Sequence, residues 1–298
     1  MAPALREQNT GIRLCTIVVL NLSALKEDVA SRLGKTPIKF AVYNSALRGV
    51  QLSKSANFPT VMLTQVEDID SDFLKFLMIN TDTIRRVVVD ECHLFATAVS
   101  YRPQLSRLAL IGCAGFPLLL LTATMPSSLW EASRAMLKLN GTETVLRCEN
   151  SVRPNLKYTV VNCDRDLSAH LELEQELHDL LLAGYGKGIV FTQTRSAADE
   201  LYHLLKAQFM GKLRVLLYHS SLEHAAKSES LESFRSQSAL LPTLMIATNG
   251  FGVGIDIADV RLVLHYGVTV NLLDYQQMAG RAGREVARSR CGHPVHAA

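Results

Sequence analysis

The chain has 298 residues, 48% hydrophobic and 20% charged, enough apolar content at this length to bury a sizeable core and to exclude global disorder. Lys+Arg 31 against Asp+Glu 28 leave a formal charge of +3, so a nucleic-acid or membrane-surface function has to be carried by motifs and not by net charge. The six cysteines are scattered with no CxxC pair, which excludes a disulfide-dense secreted scaffold and an obvious zinc ribbon.

Residues 1–13 are polar and charged where a secretory signal would need an apolar stretch. Apolar runs then recur at 14–20, 39–42, 60–63, 86–89, 118–121, 159–161, 188–191, 215–218, 244–247 and 262–265. Most are continuous and not alternating, as strands buried on both faces of a parallel sheet are. None approaches the roughly 20 apolar residues of a membrane span. Helical patterns lie between them. Leu22, Leu25, Val29 and Leu33 share a face after the first run. Ser128 opens a helix that Asn140-Gly141 closes, and residues 168–182 are amphipathic. Ala198, Leu201, Leu204 and Leu205 share a face with Ser196 or Thr194 as N-cap. Alternating buried strands and helices predict an α/β fold with mostly parallel sheets. A boundary falls within 147–156, where Arg153-Pro154-Asn155 breaks the pattern, giving domains at 1–148 and 149–290 and a tail at 291–298.

In open α/β sheets ligands sit at the carboxyl ends of strands, so the residues after each apolar run carry the chemistry. Arg86-Val-Val-Val-Asp90-Glu91-Cys92-His93 ends a buried strand in two carboxylates: one suited to hold Mg²⁺, the next to orient and deprotonate a water. Taken alone, the same pattern also describes a solvated loop. Leu118-Leu-Leu-Leu-Thr122-Ala-Thr124-Met-Pro126 ends another strand in hydroxyls. Ala247-Thr248-Asn249-Gly250-Phe-Gly252-Val-Gly254-Ile-Asp256 puts alternating glycines after a third, permitting close backbone approach, or merely a bulged turn. Gln276-Gln277-Met-Ala-Gly280-Arg281-Ala-Gly-Arg284 sets two arginines three apart, on one face if the segment is helical, where guanidiniums suit phosphate oxygens.

In this order the four segments resemble motifs II, III, V and VI of superfamily-two helicases, and most nearly the RecQ-like DNA helicases of the DECH-box type. Thr16-Ile-Val-Val-Leu-Asn-Leu-Ser-Ala-Leu-Lys-Glu-Asp28 is similar to motif Ia, Gly188-Ile-Val-Phe-Thr-Gln193-Thr-Arg195 to motif IV, and Arg153-Pro-Asn-Leu-Lys-Tyr158 to the segment linking the two RecQ lobes. The resemblance implies two RecA-like lobes, the first of them incomplete, with ATP and Mg²⁺ in a cleft between them and single-stranded or partly duplex DNA running across both. It implies a 3′–5′ polarity, a nuclear setting in DNA repair or recombination, and a kinship with fungal telomere-linked helicases. RNA is the less favoured strand, although the arginine segment is also similar to that of Ski-type RNA helicases. No membrane role follows, and the oligomeric state is left open.

Carried over by position, Asp90 coordinates Mg²⁺ and Glu91 is the base. His93, Thr122, Thr124, Gly252, Asp256 and Gln277 serve the nucleotide and its coupling to movement. Gln193, Arg195, Thr248 and Asn249 meet the nucleic acid. Arg281 and Arg284 face the phosphates, Arg284 being the favoured finger. The pattern departs from the family in one respect that matters: the 298 residues contain no GxxxxGK[ST] phosphate loop. Gly34-Lys35-Thr36 has Val29 where the first glycine belongs, and it follows a helix instead of opening one. The expectation is a chain cut after that loop, with apolar surface uncovered near 14–20 or its neighbours; an ATPase-dead nucleic-acid-binding remnant is the alternative. Tyr101-Arg102-Pro103 is all that matches the RecQ aromatic-rich loop, and Cys291, His293 and His296 lie in the expected tail without a second ligand cluster.

Overall fold

The computed structural model describes residues 14–21, 23–47, 52, 58–97, 103–139, 141, 145, 153–163, 170–171, 173–178, 186–236, 241–251, 257, 259–267, 271–283 and 289–296. The chain falls into two compact units, Met1–Arg147 and Cys148–Ala298.

The first unit runs β1 (Cys15–Leu20), α1 (Ser23–Gly34), β2 (Phe40–Val42), β3 (Val61–Gln65), α2 (Ser71–Ile79), β4 (Ile84–Val89), α3 (Leu94–Thr97), α4 (Leu108–Cys113), β5 (Leu118–Leu120) and α5 (Ser127–Met136). The five strands are parallel in the order β2-β3-β1-β4-β5, with Val18 opposite Leu63 on one side and Val88 on the other. Strand alternation divides the apolar residues between two cores. Cys15, Ile17, Val19, Val87 and Val89 pack with Phe73, Phe76 and Leu77 of α2 and with Leu108 and Ile111 of α4. Leu20, Val61 and Leu63 face the other way, against Leu25 and Leu33 of α1. Each fully buried Phe or Leu contributes about 1.5–3 kcal/mol. Helix α2 begins where Asp70 Oδ1 accepts from the amides of Asp72 and Phe73 at 3.0 and 2.8 Å.

The apolar surface expected near 14–20 is not there, because β1 is flanked by β3 and β4 and both its faces are covered. Exposed aliphatics of this unit include Leu119 44% and Leu121 43% at β5, Leu110 45% on α4 and Ile79 44% on α2. Gly34 ends α1, and the Thr36 hydroxyl donates to Leu33 O at 2.8 Å, so Gly34-Lys35-Thr36 leaves a helix as read from the sequence.

The second unit runs β6 (Leu156–Cys163), β7 (Lys187–Thr192), α6 (Arg195–Gln208), β8 (Arg214–Tyr218), α7 (His224–Arg235), β9 (Thr243–Thr248), β10 (Val260–Tyr266), α8 (Leu272–Ala279) and β11 (Ser289–His296), with residues 173–178 also helical. Its parallel strands lie in the order β6-β11-β10-β7-β9-β8. All of β7 is buried: Ile189 and Phe191 pack towards Phe234 of α7 and Met278 of α8, while Val190 packs towards Ala198, Leu201 and Leu205 of α6. Thr194 is the N-cap of α6, its hydroxyl accepting from Ala197 N at 3.1 Å. Leu204, expected on the buried face, is 43% exposed.

Residues 289–296, read from the sequence as part of a tail, form a strand inserted between β6 and β10. Pro294 concealed it, since a proline has no N–H to give a ladder and argues against an interior strand. The segment is retained because β6 and β10 each need a neighbour for their backbone groups. Both units are thus layered α/β folds on parallel sheets, as the alternating pattern predicts.

Candidate functional site

The DECH segment leaves the carboxyl end of β4, beside the central strand. Asp90 N donates to Val19 O at 3.2 Å and Cys92 N to Leu121 O at 3.0 Å, so the turn is tied to the ends of both neighbouring strands. The Asn21 side-chain amide donates to the Asp90 carbonyl, and Asn21 is 1% exposed. The segments after β1 and β4 are therefore joined by a partly buried hydrogen bond that no spacing rule foretold. Glu91 adopts φ +50°, a left-handed conformation unfavourable to a side chain, and its amide bonds Asp90 Oδ1 at 2.9 Å. That conformation turns two consecutive carboxylates out of the strand end together.

Burial, and then the charge of Glu91, raise the Asp90 carboxyl above its ordinary value. Among the described residues no Lys or Arg pairs with either carboxylate. Glu91 Oε2 is buried without a hydrogen-bond partner among the described residues, 3.4 Å from His93 Nδ1. A half-buried carboxylate pair lacking a strong cation fits a hard divalent ion, which takes oxygen ligands and would relieve the repulsion.

His93, 3% exposed, carries the turn over to the next strand end. Its Nδ1 stands 2.9 Å from Thr122 Oγ1. The Thr122 hydroxyl donates to Thr124 O and accepts from Thr124 N, both at 3.1 Å. With its proton committed to Thr124 O, Thr122 accepts from His93, which places the imidazole proton on Nδ1, also facing Glu91. Thr124 Oγ1 is buried without a hydrogen-bond partner among the described residues. His93, Thr122 and Thr124 are thus hydrogen-bonded in series at the ends of β4 and β5, and the Asp90–Glu91 turn meets them where Glu91 Oε2 comes within 3.4 Å of His93 Nδ1.

In the second unit Thr248 ends β9 directly opposite Thr192 at the end of β7. Gln193 and Arg195 follow β7 and are exposed, while Thr248 and Asn249 are partly exposed. Gly267, at the end of β10, has φ +96°, and a Cβ there would come within 3.7 Å of the Gln193 side chain. Gln193, Thr248 and Asn249 are therefore grouped at the ends of adjacent strands, with Arg195 opening α6. Beside them His219 Nε2 lies 3.0 Å from Asp199 Oδ1, and Ser221 Oγ lies 3.0 Å from His219 Nδ1. Sequence reading passed over this network, although the Tyr218-His-Ser-Ser-Leu222 element marks the place. Gly252, Asp256 and Arg284 lie outside the described residues.

The arginine segment, expected to be helical, is so only as far as Ala279, and Arg281 lies in the turn beyond. Gly280 and Gly283 break it; Gly283 has φ +61° and donates to Val260 O at 3.0 Å. Gln277 is on α8 and Arg281 in the turn after it, both partly buried. The guanidinium of Arg153 bonds three carbonyls of this turn: Gly280 O at 2.8 Å, Ala282 O at 2.7 Å and Gly283 O at 2.6 Å. Asn155 Nδ2 adds a second donor to Gly283 O at 2.7 Å.

Residues 1–132 match the family model described as DEAD/DEAH box helicase, and residues 172–285 the helicase conserved C-terminal domain. The chain is 27% identical over 302 residues to the ATP-dependent DNA helicase RecQ of Bacillus subtilis, covering 97% of this chain and 47% of the relative. It is 27% identical over 218 residues to the ATP-dependent DNA helicase hus2/rqh1 of Schizosaccharomyces pombe, covering 72% of this chain and 15% of the relative. The chain thus spans about half the length of the curated relatives it matches, or less. Among solved structures, the DUF1998 helicase MrfA bound to DNA has a TM-score of 0.77 at 17% identity, covering 99% of this chain and 44% of that one. The Mycobacterium smegmatis helicase Lhr bound to ssDNA and AMP-PNP has a TM-score of 0.67 at 22% identity, covering 95% and 40%. These structural likenesses fix the fold as RecA-like; the sequence matches support a RecQ-like helicase of superfamily two. No helix among the described residues is long and apolar enough to cross a membrane.

Proposed function

We propose that this chain, which carries the DEAD/DEAH-box and C-terminal domains of a RecQ-like superfamily-two helicase, is a motor of an ATP-dependent DNA helicase moving 3′ to 5′ on single-stranded or partly duplex DNA. The observation that carries the reading is the group at the strand ends of the first unit, in which a strained carboxylate turn stands against His93, itself hydrogen-bonded to Thr122 and through it to Thr124. When bound, Mg·ATP supplies the phosphoanhydride whose hydrolysis drives strand movement. Asp90 is the residue suited to hold the metal, and Glu91, beside it and facing His93 Nδ1, the one suited to accept a proton from water. His93 and Thr122 tie any displacement of the carboxylate turn to the end of β5, which is what coupling requires. Gln277, Arg281 and Arg284 supply donors of the kind that bind phosphate oxygens.

Gln193, Arg195, Thr248 and Asn249 sit where strands end and polar groups face solvent, a placement that suits the phosphate chain of a single strand and not base edges. The experiment is strand displacement by the chain joined to the phosphate-loop segment of a RecQ relative, on duplexes with a 3′ or a 5′ single-stranded overhang. ATP-dependent displacement confined to the 3′-tailed DNA duplex is expected. Displacement of the 5′-tailed duplex alone would reverse the polarity, and displacement of RNA duplexes in preference to DNA would replace the substrate.

A further inference from the structure

The turn that follows α8 is held by residues far away in sequence. Its first amides are used locally: Gly280 N bonds Gln276 O at 2.9 Å, Arg281 N bonds Met278 O at 3.0 Å and Ala282 N bonds Ala279 O at 3.1 Å. Its carbonyls are turned inward. Ala282 is 0% exposed and Gly283 is buried, so their oxygens would lose water without gaining a protein partner. Arg153 and Asn155 meet that need with four donors, reaching across 127 to 130 positions of the chain.

We propose that Arg153, assisted by Asn155, is a positioning residue for the arginine segment: it fixes the Gly280–Gly283 turn so that Arg281 leaves it in a set direction. Three features point that way. The guanidinium is a rigid planar fork, and here its two terminal nitrogens span three carbonyls, which a lysine ammonium on a flexible stem does not reproduce. Its positive charge stands at the carbonyl end of α8, where the helix dipole favours a cation. It also spends its donors on backbone carbonyls of the turn that Arg281 shares. A Cβ at Gly280 would press on the α8 backbone, 3.0 Å from Gln276 O and 3.4 Å from Gln277 O, while meeting Arg153 Nη1 only at an ordinary 3.9 Å. Gly283, held from both sides by Val260 O and by the two donors on its carbonyl, is the residue from which Arg284 departs.

This inference rests on the reading of Arg281 and Arg284 as phosphate-binding groups only for its consequence, not for its geometry, and the test separates the two. Arg153→Lys, Arg153→Ala and Asn155→Ala are compared with the parent chain by amide hydrogen exchange resolved at residues 280–283 and at the core strands β7, β9 and β10. Exchange in the turn is expected to rise about tenfold or more in both Arg153 variants, with the core strands unchanged, and by less in Asn155→Ala. Lysine is expected to fall short of arginine at the turn, because an ammonium on a flexible stem cannot span the three carbonyls. Unchanged exchange at 280–283, or an equal rise throughout the second unit, would overturn positioning in favour of no role or of a merely structural one. A second arm titrates a fluorescent ATP analogue against the phosphate-loop fusion carrying Arg153→Lys or Arg281→Ala. If Arg281→Ala weakens binding and Arg153→Lys does not, the proposal fails; if both weaken it, the proposal gains its functional consequence. If Arg281→Ala has no effect, the phosphate reading of that arginine fails, and the exchange arm alone decides the positioning role.

Discussion

His93 Nδ1 lies 2.9 Å from the Thr122 hydroxyl, joining the turn after β4 to the end of β5 through one buried imidazole. The pair is not isolated. Thr122 bonds both backbone groups of Thr124, and Glu91 stands 3.4 Å from the same imidazole nitrogen. Groups that share a proton network act as a unit, and removing one partner leaves a buried donor or acceptor facing nothing.

Thr122→Val, which keeps the shape and removes the hydroxyl, is expected to lower the stability of the first unit by about 1–3 kcal/mol, and His93→Ala by a similar amount. Because each already destroys the same bond, the double variant should fall short of the sum by about 0.5–3 kcal/mol. Urea unfolding midpoints of the four proteins measure this; additivity would show that the two side chains are neighbours without being coupled.

A second expectation concerns the cost of the carboxylate turn. Burial and Glu91 raise the Asp90 carboxyl, so the folded chain binds its proton more tightly than the unfolded chain does. Stability from this group is fully present below the ordinary carboxylate range and is lost as pH rises from there through the raised value. Asp90→Asn has no charge to bury, so it is expected to melt higher than the parent at pH 7, by about 2–4 °C for each kcal/mol relieved. The difference should shrink as pH falls through that window. Scanning calorimetry between pH 4 and pH 8 follows it, at about neutral and acid settings alike; a variant that melts lower at pH 7 would mean that Asp90 is stabilised by a partner the geometry does not show.

How much of this was legible in the sequence differs from element to element. The ten apolar runs are β1 to β10; burial on both faces explains the continuous pattern of β7 and β9, whereas β2, β5 and β6 are partly exposed. The carboxylates, His93 and the threonines were legible because strand ends are where chemistry collects. The contacts that shape the site were not. Asn21 reaching Asp90 and Arg153 reaching Gly283 join residues far apart in sequence, and no local period records such a pairing. The left-handed Glu91 was hidden for a different reason: glycine or asparagine usually marks that conformation, and here a glutamate bears the strain. Strand β11 was missed through Pro294, and the helical reading of Arg281 through over-extending α8 past Gly280.

Nucleic-acid binding should be weak, dependent on salt and indifferent to sequence. The net charge of +3 gives little long-range attraction, and the strand-end groups are hydrogen-bond donors and one arginine, not a basic stripe. Fluorescence anisotropy with labelled single strands should show binding at low salt that falls off with a shallow slope, each neutralised phosphate contributing about −0.7 to the log–log plot. Arg195→Ala should reduce that slope by about one such step, while Gln193→Ala weakens binding without changing it. Absence of binding at low salt, or a slope untouched by Arg195→Ala, would take the interface away from the ends of β7 and β9.

The last expectation is catalytic. A polypeptide of these 298 residues should hydrolyse ATP negligibly, although Asp90 and Glu91 are in place, because phosphoryl transfer depends on positioning and on charge neutralisation. Gly34-Lys35-Thr36 cannot supply them: Gly34 is the last residue of α1, so its amides do not form the open helix start that cradles phosphate. Joining a relative's phosphate-loop segment to the chain should bring activity up. In that fusion Glu91→Gln removes the proton acceptor while keeping the side chain's shape, so turnover should be lost with ATP binding retained. Arg284→Ala should slow turnover by about 10³–10⁵ if that residue is the finger, and Arg281→Ala should then cost much less. Reversal of those two losses would move the finger to Arg281, the residue nearer the Arg153 clamp. DNA-stimulated phosphate release, followed on the chain and on the fusion side by side, distinguishes these outcomes. Robust hydrolysis by the 298-residue polypeptide alone would mean that phosphate is cradled by a segment with no Gly-rich pattern, and that the roles given to Asp90 and Glu91 have to be rebuilt around it.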